Sequence, residues 1–81
     1  MSIRILFFAS LADATGMRET SLDTVGFTDI ASVFNHFVHK FPSLENYRTS
    51  ALFAINSDFV SLDTPVRDGD EVAIFPPVSG G

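Results

Sequence analysis

The chain has 81 residues, 46% of them hydrophobic, and ten acidic against five basic side chains give it a formal charge of −5. That length suits one domain, the apolar content suits a packed core rather than a disordered chain, and the scattered cations (Arg4, Arg18, Lys40, Arg48, Arg67) leave no electrostatic footprint for nucleic acid. The chain has no cysteine, so it has no disulfide framework, thiolate metal site or cysteine nucleophile, and nothing in it approaches the roughly 20 apolar residues of a membrane span. In the opening MSIRILFFAS the charged residue lies inside an apolar run too short for a signal peptide, so a cytoplasmic location is expected. The acidic balance favours a partner with a basic surface.

Ile3 to Phe8 (IRILFF) is a run of β-branched and aromatic residues and reads as a strand buried on at least one face. Gly16 punctuates, and Arg18 to Asp23 (RETSLD) offers a weaker, polar strand as the return arm of a hairpin. Thr28 and Asp29 supply N-cap chemistry for a helix. Its stripe is Ile30, Val33, Phe34, Phe37, Val38 and Phe41, and Pro42 ends it. A polar connection with Leu44 and Tyr47 follows, then a compact strand Ala51 to Ile55, a turn at Asn56-Ser57-Asp58 and a short strand at Phe59 to Leu62. A second turn at Asp68-Gly69-Asp70 leads into a last strand, Glu71 to Phe75, which two prolines terminate.

This order of elements is α+β. A hairpin, a crossing helix and a returning strand make a ubiquitin-like β-grasp, a mixed sheet of four to five strands packed on one main helix, with a split β-α-β sheet as the alternative. Residues 1–75 form the domain and residues 76–81 a flexible C-terminal tail ending in Gly-Gly. One helix covers one sheet face, and strand alternation assigns the side chains. Arg4, Leu6 and Phe8 share one face of the first strand, against Ile3, Ile5 and Phe7. Glu71, Ala73 and Phe75 share one face of the last, against Val72 and Ile74. The charged members mark the open side. Phe8 and Phe75 are therefore expected side by side there with Leu6, and Phe59 is a candidate third ring of an aromatic partner-binding patch.

The side chains offer little chemistry of their own. His36 and His39 have a spacing that can serve one metal, but both lie off the apolar stripe without a third ligand and are expected to be solvated. Asp68, Asp70 and Glu71 lack the calcium-loop spacing and read as a structural turn. No histidine is placed to activate a serine, and Gly80-Gly81 opens no helix and so is no phosphate loop. As a stand-alone enzyme the chain is poorly equipped. The remaining group is the Gly81 carboxylate, which resists nucleophiles until another enzyme converts it to an activated acyl group. Adenylation of Gly81 with ATP, followed by displacement of AMP by a sulfur nucleophile, would leave a thiocarboxylate. Pro76, Pro77, Val78 and the slim Gly80 would form an arm that, with Gly81, spans roughly 20 Å when extended. A tip threaded into a narrow channel cannot carry bulk.

The stretches ILFFASLADATG and AINSDFVSLDTPVRDGDEVAIFPPVSGG, together with the whole length, resemble the sulfur-carrier family that includes the small subunit of molybdopterin synthase, a family of ubiquitin-like β-grasp proteins. The resemblance implies that a ubiquitin-activating-type enzyme adenylates Gly81 and a sulfurtransferase or cysteine desulfurase system supplies the sulfur. The tail then enters the large synthase subunit, where sulfur passes to cyclic pyranopterin monophosphate. It further implies a heterotetramer of two small and two large subunits, no cofactor bound by the carrier itself, and partner contacts at Phe8, Phe59 and Phe75. Phe59 stands where the family often has leucine. The rival readings are a carrier for another pathway, of the thiamine or ubiquitin-related modifier type, and an interaction module with an inert tail.

Overall fold

The computed structural model describes residues 1–77; the part of the tail at 78–81 lies outside the described residues. Five strands form one mixed sheet: β1 (Ser2–Phe7), β2 (Glu19–Asp23), β3 (Leu52–Ile55), β4 (Asp58–Val60) and β5 (Glu71–Phe75), in the order β2-β1-β5-β3-β4. The centre is the parallel pair β1/β5, with Ile5 opposite Val72 and Phe7 opposite Ile74, and the other pairs are antiparallel. A parallel pair needs a crossover. Here it contains the main helix, α2 (Ile30–Lys40), which lies on one sheet face. This is the β-grasp arrangement expected from the order of elements.

A short helix, α1 (Ser10–Thr15), lies between β1 and β2, where the sequence suggested only a hairpin connection. Six residues are too few for a helical period to repeat, so the pattern is silent. Leu11 anchors α1 in the core and the buried Thr15 hydroxyl donates to the Leu11 carbonyl at 3.0 Å. Gly16 caps it at φ 73°, a left-handed conformation that glycine adopts without strain.

A capping box starts α2. The Asp29 carboxylate accepts from the Ser32 N–H at 2.9 Å, and the Ser32 hydroxyl accepts from the Asp29 N–H at 3.2 Å. Its apolar face is Ile30, Val33, Phe34 and Phe37, all essentially inaccessible to water; Val38 and Phe41 are half-buried at its margin. Phe41 closes the last turn on the Phe37 carbonyl, and Pro42 begins a 3₁₀ segment, Pro42–Tyr47, that buries Leu44. Against α2 the sheet sets Ile3, Ile5, Phe7, Phe53, Val72 and Ile74, with edge-to-face ring pairs Phe7/Phe37 at 5.0 Å and Phe34/Phe53 at 5.5 Å. Arg48, paired with Glu45, holds its guanidinium 5.4 Å from the Phe34 ring centre.

His36 is not solvated as expected. Its ring packs edge-on between Phe27 at 5.3 Å and Phe37 at 5.1 Å, and its buried Nε2 has no hydrogen-bond partner among the described residues. Burial, reinforced by the positive charges of Lys40 and His39, holds this imidazole below its ordinary pKa. The sequence reading missed this because Phe27 reaches α2 from the preceding loop, outside the helical stripe. His39 is exposed. The Asp68-Gly69-Asp70 turn is structural: Gly69 has φ 86°, and the Asp70 carboxylate accepts from the Arg67 N–H at 2.8 Å and from Asn56 Nδ2 at 3.1 Å. No helix of the described residues is long and apolar enough to cross a membrane.

Candidate docking face and the root of the tail

The uncovered sheet face divides into an aromatic half and an ionic half, and strand register decides which residue falls in which. One row across the sheet is Leu6 on β1, Ala73 on β5, Ala54 on β3 and Phe59 on β4. In the next row Leu52 stands opposite Phe75. Phe8, just past β1, joins them by donating its N–H to the Ile74 carbonyl at 3.1 Å. The Phe8 and Phe75 rings stack at 4.5 Å and 12°, and Phe59 leans on the other side of Phe75 at 6.0 Å and 53°. Ala54 and Ala73 leave a low floor beside these rings. Phe59 is 72% exposed, Phe8 40% and Leu52 38%. These three large apolar side chains share one sheet face and make it the candidate docking surface.

Phe8 and Phe75 thus lie side by side as the alternation argument expected, and Phe59, the candidate third ring, joins them. Leu52 was missed. ALFAI is apolar at every position, so alternation within it cannot tell the core face from the open face, and only the pairing of Leu52 with Phe75 settles the matter.

At the opposite end of the same face, Arg4 lies between two carboxylates, 2.8 Å from Glu19 and 3.4 Å from Glu71. Its hydrogen bond to Glu19, helped by the attraction between the charges, raises the Arg4 pKa and lowers that of Glu19. One cation between two acids leaves this half negative. The pairs are exposed, so they contribute little to folding and are open to a partner's charges.

Phe75 is the last strand residue; Pro76 is half-buried and Pro77 exposed. Proline at both positions fixes two φ angles and removes two N–H donors, so β5 cannot extend and the chain leaves from beside the stacked rings. The remaining tail positions singled out in the sequence, Val78, Gly80 and Gly81, lie outside the described residues.

A mixed sheet in this order on a single crossing helix, with bare aromatic residues where the last strand ends, defines a ubiquitin-like β-grasp protein. The chain belongs to the ThiS family, which matches residues 5–81. It is 36% identical over 83 residues to the molybdopterin synthase sulfur carrier subunit of Escherichia coli (strain K12), covering 98% of this chain and 99% of that protein. Among solved structures it is similar to the crystal structure of SAMP1 from Haloferax volcanii, at 29% identity and a TM-score of 0.82 with both chains fully covered. It shares its fold, at 22% identity and a TM-score of 0.66, with a chain in the protein–protein complex of subunits 1 and 2 of the molybdopterin-converting factor from Helicobacter pylori 26695, again with both chains fully covered.

Proposed function

We propose that this chain is the sulfur carrier of a molybdopterin synthase. The observation that carries the reading is the 36% identity, over nearly all of both chains, to a sulfur carrier subunit of that enzyme. In this reading the Gly81 carboxylate attacks the α-phosphate of ATP on a ubiquitin-activating-type partner, releasing pyrophosphate. The persulfide of a sulfurtransferase or cysteine desulfurase system then displaces AMP to give an acyl disulfide, and a second thiol cleaves its S–S bond, forming a disulfide with the donor sulfur and leaving the C-terminal thiocarboxylate.

The loaded chain docks by Phe8, Phe59 and Phe75 on the large synthase subunit. Its tail, from Pro76 and Pro77 through Val78 and Gly80 to Gly81, delivers sulfur to cyclic pyranopterin monophosphate. Carbon–sulfur cleavage and water return Gly81 to a carboxylate. The catalytic side chains belong to the large subunit, ATP is used by the activating enzyme, and the carrier binds no cofactor of its own. The cycle runs in the cytoplasm, with two small and two large subunits in the synthase.

The bare aromatic patch and the absence of side chains at the last two positions support docking followed by threading. Deletion of Gly81 tests the reading. Sulfur delivery in a synthase reconstituted with the large subunit is expected to vanish while thermal unfolding stays unchanged, and retained delivery contradicts it.

A further inference from the structure

Arg4 stands between two acids but does not serve them equally. Its Nε donates to Glu19 at 2.8 Å, so the guanidinium is committed toward β2, whereas its Nη1 is 3.4 Å from the Glu71 carboxylate. At that distance, with both side chains exposed, the second pair is weak and another cation can replace it. The Glu71 backbone, by contrast, is fixed by Asn56: its N–H donates to Asn56 Oδ1 at 3.0 Å and its carbonyl accepts from the Asn56 N–H at 2.9 Å. A firmly held strand thus presents a loosely held carboxylate.

Glu71 is also the one charged residue of β5, the strand that leads into the tail. Glu71, Ala73 and Phe75 share the open face, opposite Arg4, Leu6 and Leu52 respectively. Four residues at about 3.3 Å each place the acid about 13 Å behind the Phe75 position along the strand. Acid, ring and tail root therefore lie in line, and a protein that covers the ring and takes in the tail comes within reach of the acid. The charges of the chain favour a cation there. Ten acids face five basic residues, Glu19 already has Arg4, and the Gly81 carboxylate that the partner must accept is a further anion. A second copy of this chain would bring the same acids to the same place, which disfavours self-association as the way this face is covered.

We propose that Glu71 is a partner-recognition residue: it takes an arginine or lysine of the large synthase subunit, about 13 Å from the socket that receives Phe75 and on the side away from the tail. The incoming cation displaces Arg4, which stays with Glu19. This rests on the function proposed above and adds to it the chemistry of the partner's surface, an apolar socket with a cation at a set spacing. The rings supply affinity, and the charge pair fixes register.

The test measures binding of the full chain to the large subunit by calorimetry at about 0.05 and about 0.5 M salt. Glu71→Gln, nearly the same shape, should raise Kd by about fivefold or more at low salt and by less than about twofold at high salt. Its unfolding midpoint should stay unchanged, because the pair it loses is exposed. Arg4→Ala uncovers the acid and should lower Kd at low salt. Glu45→Gln makes the same change of net charge on the helix side, where Glu45 pairs with Arg48, and should stay within about twofold of wild type. Wild-type affinity in Glu71→Gln at low salt, or an equal loss in Glu45→Gln, overturns the inference.

A second probe needs no synthase. In an extended peptide, leucine and arginine four residues apart project to one side about 13 Å from each other, so the end-blocked peptide Leu-Thr-Ser-Thr-Arg matches the spacing. Titrated into the wild-type chain it should shift the amide NMR signals of Glu71 and Phe75 together, and the shift at Glu71 should vanish in Glu71→Gln and with glutamate in place of the peptide's arginine. No shift at Glu71 in the wild type overturns the recognition role, as do concentration-dependent shifts at Phe59 and Glu71 without peptide, the mark of a second copy on this face. Failure of the wild-type chain to bind the large subunit counts against the carrier reading alone, and the peptide then decides the role of Glu71.

Discussion

The two faces of the sheet are built from the same strands, one residue apart, and they have opposite fates. On the helix side Ile3, Ile5, Val72 and Ile74 are at most 1% exposed, whereas on the open side their neighbours Arg4, Leu6, Phe8, Glu71, Ala73 and Phe75 are all at least partly accessible. The covered face carries the folding energy of a chain small enough that every buried ring counts. The open face exposes aromatic rings that a monomer would gain by hiding, which is intelligible if a partner completes the burial.

The sharpest way to break this contrast is to cut the covered face. Phe37→Ala removes a ring packed against Phe7 and His36, and a loss of about 3–5 kcal/mol is expected in chemical denaturation, enough to leave the domain largely unfolded at moderate temperature. On the open face Phe75→Asp should weaken binding to the large synthase subunit by about 2 kcal/mol or more in calorimetry. Its companion Phe59→Ser, at a site 72% exposed, should weaken binding while shifting stability by no more than about 0.5 kcal/mol. A Phe59→Ser variant that unfolds easily yet binds normally would erase the distinction between the faces.

His36 provides a smaller, pH-dependent contrast. Its pKa is held below the ordinary value of 6.5, so the unfolded chain takes up the proton first as pH falls. Stability from this site is fully present above about pH 6.5 and is lost as pH drops toward the lower folded pKa. Glu19 and Glu45, lowered from 4.5 by Arg4 and Arg48, act in a separate window below that value. Thermal unfolding midpoints should therefore fall between pH 7.5 and 5.5. In His36→Phe that slope should flatten; an unchanged slope would assign the pH response elsewhere. The smallest effect is expected from Arg4→Ala, which should leave the unfolding midpoint almost unmoved while altering the salt dependence of association with the large subunit.

Much of this division was legible in the sequence, because alternation in IRILFF and EVAIF places one charged residue on the open side of each strand and so orients the rest. The helix was legible from its stripe and from Asp29. Three things were not, each for a physical reason. α1 is shorter than two helical turns, so no period marks it. Leu52 lies in a strand apolar on both faces, where only pairing with Phe75 decides direction. His36 is flanked by Phe27 from the loop that precedes α2, a contact invisible to helical periodicity.

The most direct test of the carrier account is the intact mass of the chain after incubation with ATP, a sulfur donor and the adenylating enzyme of molybdenum-cofactor synthesis. The account predicts a gain of about 16 Da, oxygen replaced by sulfur, localised to Gly81. No gain at Gly81, while a competent carrier is loaded in parallel, would contradict it.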